Sequence, residues 1–201
     1  MKKIIFLTII AGLVFFGCSK NSDLNPLASN SESTIITEDA SPFISLPVRD
    51  NNSLAKILNT REKWITPWGS ERIILEDNYW SGKSFIRVKM ELIFPKGSVD
   101  RFIKASAHMD TEAAAFNFYP SPMTFNIPVI LNFEISGLTG EDLERFKEVK
   151  AFVYISPTGE LETMSYDKLG VEENSFWGKK TGKFVLENCK IPHFSRFGFV
   201  R

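Results

Sequence analysis

Residues 86–94 alternate with a period of two: Ile86, Val88, Met90, Leu92 and Phe94 are apolar, and Arg87, Lys89 and Glu91 between them are charged. Successive side chains of a strand point to opposite faces, so this run is a strand with one face in a core and one in water. Val129, Leu131, Phe133 and Ile135 repeat the pattern around Asn132 and Glu134. Pro128 is expected at the start of that strand, where a missing N–H is tolerated. Further strands are expected over 72–76, 102–107, 113–119, 149–156, 160–165, 184–189 and 195–200, with turns at Pro-Lys-Gly, Pro-Thr-Gly, Ser-Gly-Lys and Lys-Thr-Gly. Helix is scarce: a short one over 141–147, opened by Thr139 with acids in its first turn, and a weaker one over 54–59. The expectation is an all-β chain, an antiparallel β-sandwich with one or two short helices. Eighteen Phe among 201 residues suit the space between two packed sheets.

The first 42 residues read as an address. Lys2 and Lys3 precede an uncharged, mostly apolar run over 4–16 that ends at Gly17-Cys18. At 13 residues it is shorter than the roughly 20 needed to span a bilayer, and it reads as a cleaved signal. A small residue directly before Cys resembles the bacterial lipobox, although Phe15 and Phe16 stand where the motif more often shows Leu or Val and a small residue. On this reading residues 1–17 are a lipoprotein signal peptide and Cys18 carries the lipid that binds the protein to a membrane. Residues 18–42 form a Ser- and Asn-rich tether, and 43–201 the folded domain. Ser19 is not the Asp that holds many lipoproteins at the inner membrane, so the expected location is the cell envelope, at the outer membrane. The only other cysteine is Cys189, so the fold must stand without an intramolecular disulfide.

Four segments, in order, resemble the ZU-five domains of ankyrins, netrin receptors and zonula occludens-type scaffold proteins. Phe94-Pro95-Lys96-Gly97-Ser98-Val99 is similar to their Ile-Pro-x-Gly-Ala-Leu. The run from Pro122 through Phe125 and Pro128-Val129 to Leu131 resembles Gly-x-x-Phe-x-x-Pro-Val-x-Leu. Gly159-Glu160-Leu161-Glu162 looks like Gly-x-Trp-Glu, and His193-Phe194-Ser195-Arg196-Phe197 like His-Phe-Ser-x-Tyr. The resemblance covers 71–201, with Ser121-Pro122 standing where Gly is usual and Leu161 where Trp is. It implies a ZU-five-like, immunoglobulin-like sandwich and a role in binding or scaffolding.

It also implies one piece of chemistry. In some relatives, as in death-domain scaffold proteins, a His-Phe-Ser sequence here breaks its own Phe–Ser bond. Ser195 Oγ would attack the Phe194 carbonyl, His193 would take the hydroxyl proton, and the ester formed would be hydrolysed. The plainer expectation is that Phe194 fills the core while His193 and Ser195 share the other face of a strand. The chain is accordingly read as a non-catalytic interaction or structural module, with self-cleavage between Phe194 and Ser195, or a carbohydrate-binding module using exposed aromatics, as the alternatives.

Charge and ligand types narrow the rest. Lys plus Arg equals Asp plus Glu, 24 each, so no net positive field is available for nucleic acid. His108, His193 and Cys189 lack metal-ligand spacing, so no metal or cofactor is expected. Trp64, Trp68, Trp80 and Trp177 lie in segments rich in Gly, Pro or charge. Each is expected to cap an open end of the core. A cluster of two or more solvent-facing rings would instead mark a surface for a glycan or a protein partner.

Overall fold

A computed structural model describes residues 42–50, 60–110, 112–156, 158–176 and 178–201. Cys18, nearly all of the tether, the weaker helix over 54–59 and Trp177 lie outside the described residues.

Alternation decides the architecture. In β3 (Ser84–Phe94) the five apolar residues are all buried and point one way, while Arg87 and Lys89 are exposed on the other side. β3 is the second strand of a five-stranded antiparallel sheet, ordered β2 (Glu71–Ser81), β3, β6 (Met123–Leu138), β10 (Lys179–Phe194) and β9 (Lys168–Phe176). The other sheet has six strands: β1 (Thr60–Ile65), β4 (Ile103–Met109), β5 (Ala115–Tyr119), β11 (Arg196–Val200), β7 (Ala151–Ile155) and β8 (Leu161–Thr163). Every strand pairing is antiparallel. The two sheets pack into the expected all-β sandwich, with a single helix among the described residues, α1 (Gly140–Lys147).

Phenylalanine fills the space between the sheets. Phe116 of β5 meets Phe133 of β6 with ring centroids 5.3 Å apart, and Phe199 of β11 lies 5.1 Å from Phe133 and 5.0 Å from Phe184. Toward the other end Phe194 stands edge-on to Phe125 at 4.8 Å. Edge-to-face contacts of this kind add roughly 0.5–1.5 kcal/mol each beyond burial of the ring. α1 closes one side: Leu143 and Phe146 are buried, and the Phe146 ring lies 5.1 Å from Phe184.

Three local expectations are corrected. Pro128 does not start a strand but lies inside β6, where 125–128 bulge against Pro192 alone, between the pairs Val129–Ile191 and Thr124–His193. No ladder bond is asked of its nitrogen there. Lys180-Thr181-Gly182 is not a turn but part of β10, and Gly182 is glycine because Leu143 lies on it: an added Cβ would stand 2.1 Å from Leu143 Cδ1. Thr139 precedes α1, yet its hydroxyl bonds Ser84 Oγ at 2.6 Å instead of capping the helix. β1 and β9 were not anticipated, because both are rich in charge and lack a run of alternating apolar residues.

The segment 43–46 is hydrogen-bonded to the six-stranded sheet beside β5 and β11, with Ile44 and Leu46 in the main core and Phe43 on the outer side. Ile44 N donates to Phe199 O, Ala114 N to Ile44 O and Leu46 N to Glu112 O, each at 2.8 Å. The Phe43 ring lies on the bare backbone of Gly198, with Ala113, Ala115 and Val153 around it.

Candidate functional site

β10 belongs to one sheet and β11 to the other, and the single residue between them is Ser195, at the bend where the chain changes sheets. Phe194 is buried among Phe94, Phe118 and Phe125. The Ser195 carbonyl accepts from Phe118 N at 2.9 Å, and the Phe194 carbonyl accepts from Ser121 Oγ at 3.1 Å. The His193 ring packs on Tyr154 at 4.5 Å and faces Phe197 at 5.7 Å. Among the described residues no hydrogen bond joins His193 to Ser195. The Phe194 carbonyl therefore has one hydroxyl donor, while the base-to-nucleophile contact that proton removal requires is not formed.

The tryptophans depart from the expectation of capping. Trp64, Trp68 and Trp80 are 62%, 68% and 52% exposed. They form two separate groups. Trp80 pairs with Phe85 at the end of the β2–β3 hairpin, centroids 5.2 Å apart, with the Arg87 guanidinium 5.4 Å over the Phe85 ring. Trp68 stands edge-on to Phe102 at 5.0 Å, and Phe102 leads into β4. The β1–β4 register sets Trp64 opposite Lys104, two residues along from Phe102. The β4–β5 register sets Tyr119 opposite Ser106.

Trp64, Phe102 and Tyr119 thus surround Lys104 on one face of the six-stranded sheet. That face is the outer one, because Ile103, Ala105, Ala107 and Phe118 of the same strands are buried on the other. The strand spacing puts Tyr119 about 12–14 Å from Trp64 and Phe102, backbone to backbone. Lys104 Nζ pairs with Glu62 at 2.5 Å among the rings, and beyond Tyr119 Thr60 Oγ1 meets His108 Nδ1 at 2.7 Å. Phe102 and Tyr119 were not singled out from the sequence. The signal was present in the period: Phe102 falls in the wet set with Lys104 and Ser106, and Tyr119 with Asn117.

Two groups, Cys189 and Tyr79, have their acidity shifted by burial. Burial pushes the Cys189 thiol and the Tyr79 hydroxyl each up to about 12, the nearby Arg49 partly offsetting the effect at Tyr79. Both groups are neutral when protonated, and the unfolded chain loses these protons first, from pH near 9.0 for Cys and 10.0 for Tyr. The stability they contribute is full below pH 9 and falls as pH rises toward 12, by about 1.4 kcal/mol per group and pH unit within its window. Urea unfolding between pH 8 and 11 is expected to show that fall. In Cys189→Ala it should begin about one pH unit later, and an identical pH curve would contradict the burial of the thiol. No group of three or more His, Cys, Asp or Glu is set to hold a metal ion among the described residues. No helix among them is long and apolar enough to cross a membrane. Compared with protein-family models, curated proteins and solved structures, the chain matches none.

Proposed function

We propose that this chain is a cell-envelope lipoprotein, anchored through lipid on Cys18 and displaying a non-catalytic interaction module of ZU-five type. The observation that carries the reading is the contrast between two places in the fold. The exposed rings of Trp64, Trp68, Phe102 and Tyr119 gather on one side of the six-stranded sheet. At His193-Phe194-Ser195 the contact needed for self-cleavage is missing, and Phe194 is spent on the core. Support for the address is the order Lys2-Lys3, apolar run, Gly17-Cys18 and polar tether. Support for the domain type is the order and spacing of the four similar segments.

Intact mass of the protein taken from its own membranes tests both halves. The expected mass is that of residues 18–201 plus acyl chains, with Ser195→Ala giving the same mass less one oxygen. Cys18→Ala should lose the acyl mass and leave the membrane fraction. A chain ending at Phe194 in wild type but whole in Ser195→Ala would replace this reading with self-processing, for which the Ser121 bond to the Phe194 carbonyl would supply the oxyanion donor.

A further inference from the structure

The outer face of β1, β4 and β5 presents rings and paired charges in a pattern that specifies a ligand. Trp64, Phe102 and Tyr119 stand around Lys104, and Trp68 extends the line beyond Phe102. These rings are 51–68% exposed; Trp64 and Tyr119 stand on strands of a sheet whose opposite face is packed on the core, and Trp68 and Phe102 on the segments that adjoin β1 and β4. The charges on this face are already partnered: Lys104 with Glu62 at 2.5 Å, and Arg196 with Asp110 at 3.8 Å. A charged ligand would have to break those pairs, whereas an uncharged one can bond to them as they stand.

Trp68 and Phe102 touch, but Lys104, Glu62 and Ser106 set Tyr119 apart from the other rings, so the face is not one continuous apolar area. A protein partner of ordinary affinity needs a continuous patch, with a dry apolar centre, inside roughly 1,600 Å² of buried surface. Sugar rings fit the spacing better. Each pyranose has an apolar C–H face that stacks on an aromatic ring and an equatorial belt of hydroxyls that bonds to Lys104, Glu62, Ser106 and Asn117. The backbone spacing of about 12–14 Å from Tyr119 to Trp64 and Phe102 exceeds one sugar, so the ligand is a chain rather than a monosaccharide.

We infer that the Trp64–Phe102–Tyr119 face binds an extended, uncharged polysaccharide chain. This rests on the interaction-module reading above and names its ligand class and surface. The face binds by stacking and hydrogen bonding with no bond made or broken in the glycan. The Trp80–Phe85 pair, on the other sheet, takes no part.

The test is retention of the full-length protein on insoluble cellulose, chitin, xylan and mannan, followed by titration with the hexasaccharide of whichever retains it, read by tryptophan fluorescence. Wild type should bind at least one. Trp64→Ala should weaken binding roughly tenfold or more, the loss of one stacked ring. Tyr119→Ala should weaken it as well and Tyr119→Phe should not, which separates a stacking role from a structural one. Trp80→Ala should bind as wild type does. The inference is overturned if no polysaccharide retains the protein, or if Trp80→Ala weakens binding as much as Trp64→Ala. It is also overturned if the Trp64-dependent event is binding to phosphatidylglycerol vesicles or formation of a dimer. The intact mass of the same preparation reports separately on the lipoprotein reading, so the two fail independently.

Discussion

Gly137→Ala is expected to destabilise the domain by at least about 3 kcal/mol, adding a left-handed residue with a Cβ to a collision with backbone. Gly137 is the extra residue of a bulge in β6, between the pairs Leu138–Gly182 and Ser136–Lys183, and its φ is +87°. A Cβ there would lie 2.1 Å from the carbonyl oxygen of Phe85 in β3, an atom that cannot swing aside as a side chain would. β3 and β6 are central strands of the five-stranded sheet, so parting them opens the core. For a domain of this size the loss corresponds to a fall of roughly 6–12 °C in Tm. Gly140→Ala is the matched control: its φ is +53°, but nothing lies within 4 Å of the added Cβ. It should cost only about 1 kcal/mol. Equal melting temperatures for the two variants would mean that the β6 bulge does not approach Phe85 as described.

The second large effect concerns a buried charge. On β2 the inward positions are Ile73, Leu75, Asp77 and Tyr79, so an ionisable side chain, 1% exposed, stands in an apolar row. Its ion-pair partner is Arg49, which also lies 4.0 Å over the Tyr79 ring. Burial pulls the Arg49 guanidinium below its ordinary value, the direction expected of a cation drawn partly out of water. Beyond the ion-pair contact itself, Asp77 Oδ1, Arg49 Nη1 and the Tyr79 hydroxyl have no hydrogen-bond partner, so the pair is incompletely satisfied.

Arg49→Met should therefore cost about 3–5 kcal/mol, because it strands the carboxylate. Arg49→Met with Asp77→Leu should recover that loss and end level with or about 1–4 kcal/mol above wild type, since well-packed apolar groups replace an incompletely satisfied pair. Chemical denaturation of the two singles and the double closes the cycle. A double variant no more stable than Arg49→Met would show that the cost lies in lost packing of the arginine stem and not in the stranded charge.

What was legible in advance follows from period. The buried set of β3 could be listed residue by residue, because from Ile86 to Leu92 apolar residues alternate strictly with charged ones. β1 could not be found, since five of its six residues are exposed and it is held by its pairing to β4. Sequence places only 184–189 of β10 in a strand, because Lys180-Thr181-Gly182 has the composition of a turn. In the fold Gly182 has a tertiary cause, since it lies beneath Leu143, and the strand runs on through Pro192, which opposes the β6 bulge. The tryptophans were assigned to the ends of the core on composition. Their true position depends on strand register, which sets Trp64 across from Lys104 on an outer face.

The sequence by itself determined the all-β class, the phenylalanine core and the inward set of the clearest strands, because side-chain alternation is a local property of extended chain. It also contained the lipobox-like pattern and the His-Phe-Ser sequence, which are linear. Only the tertiary structure decided which wet residues from different strands share one surface. Trp64, Phe102 and Tyr119 are up to 55 positions apart in the chain and are brought together by the order β1-β4-β5. It likewise decided that His193 packs on Tyr154 and Phe197 and makes no hydrogen bond to Ser195. The reason in both cases is that strand order and register are chosen by packing of the whole core, and no segment carries that choice alone.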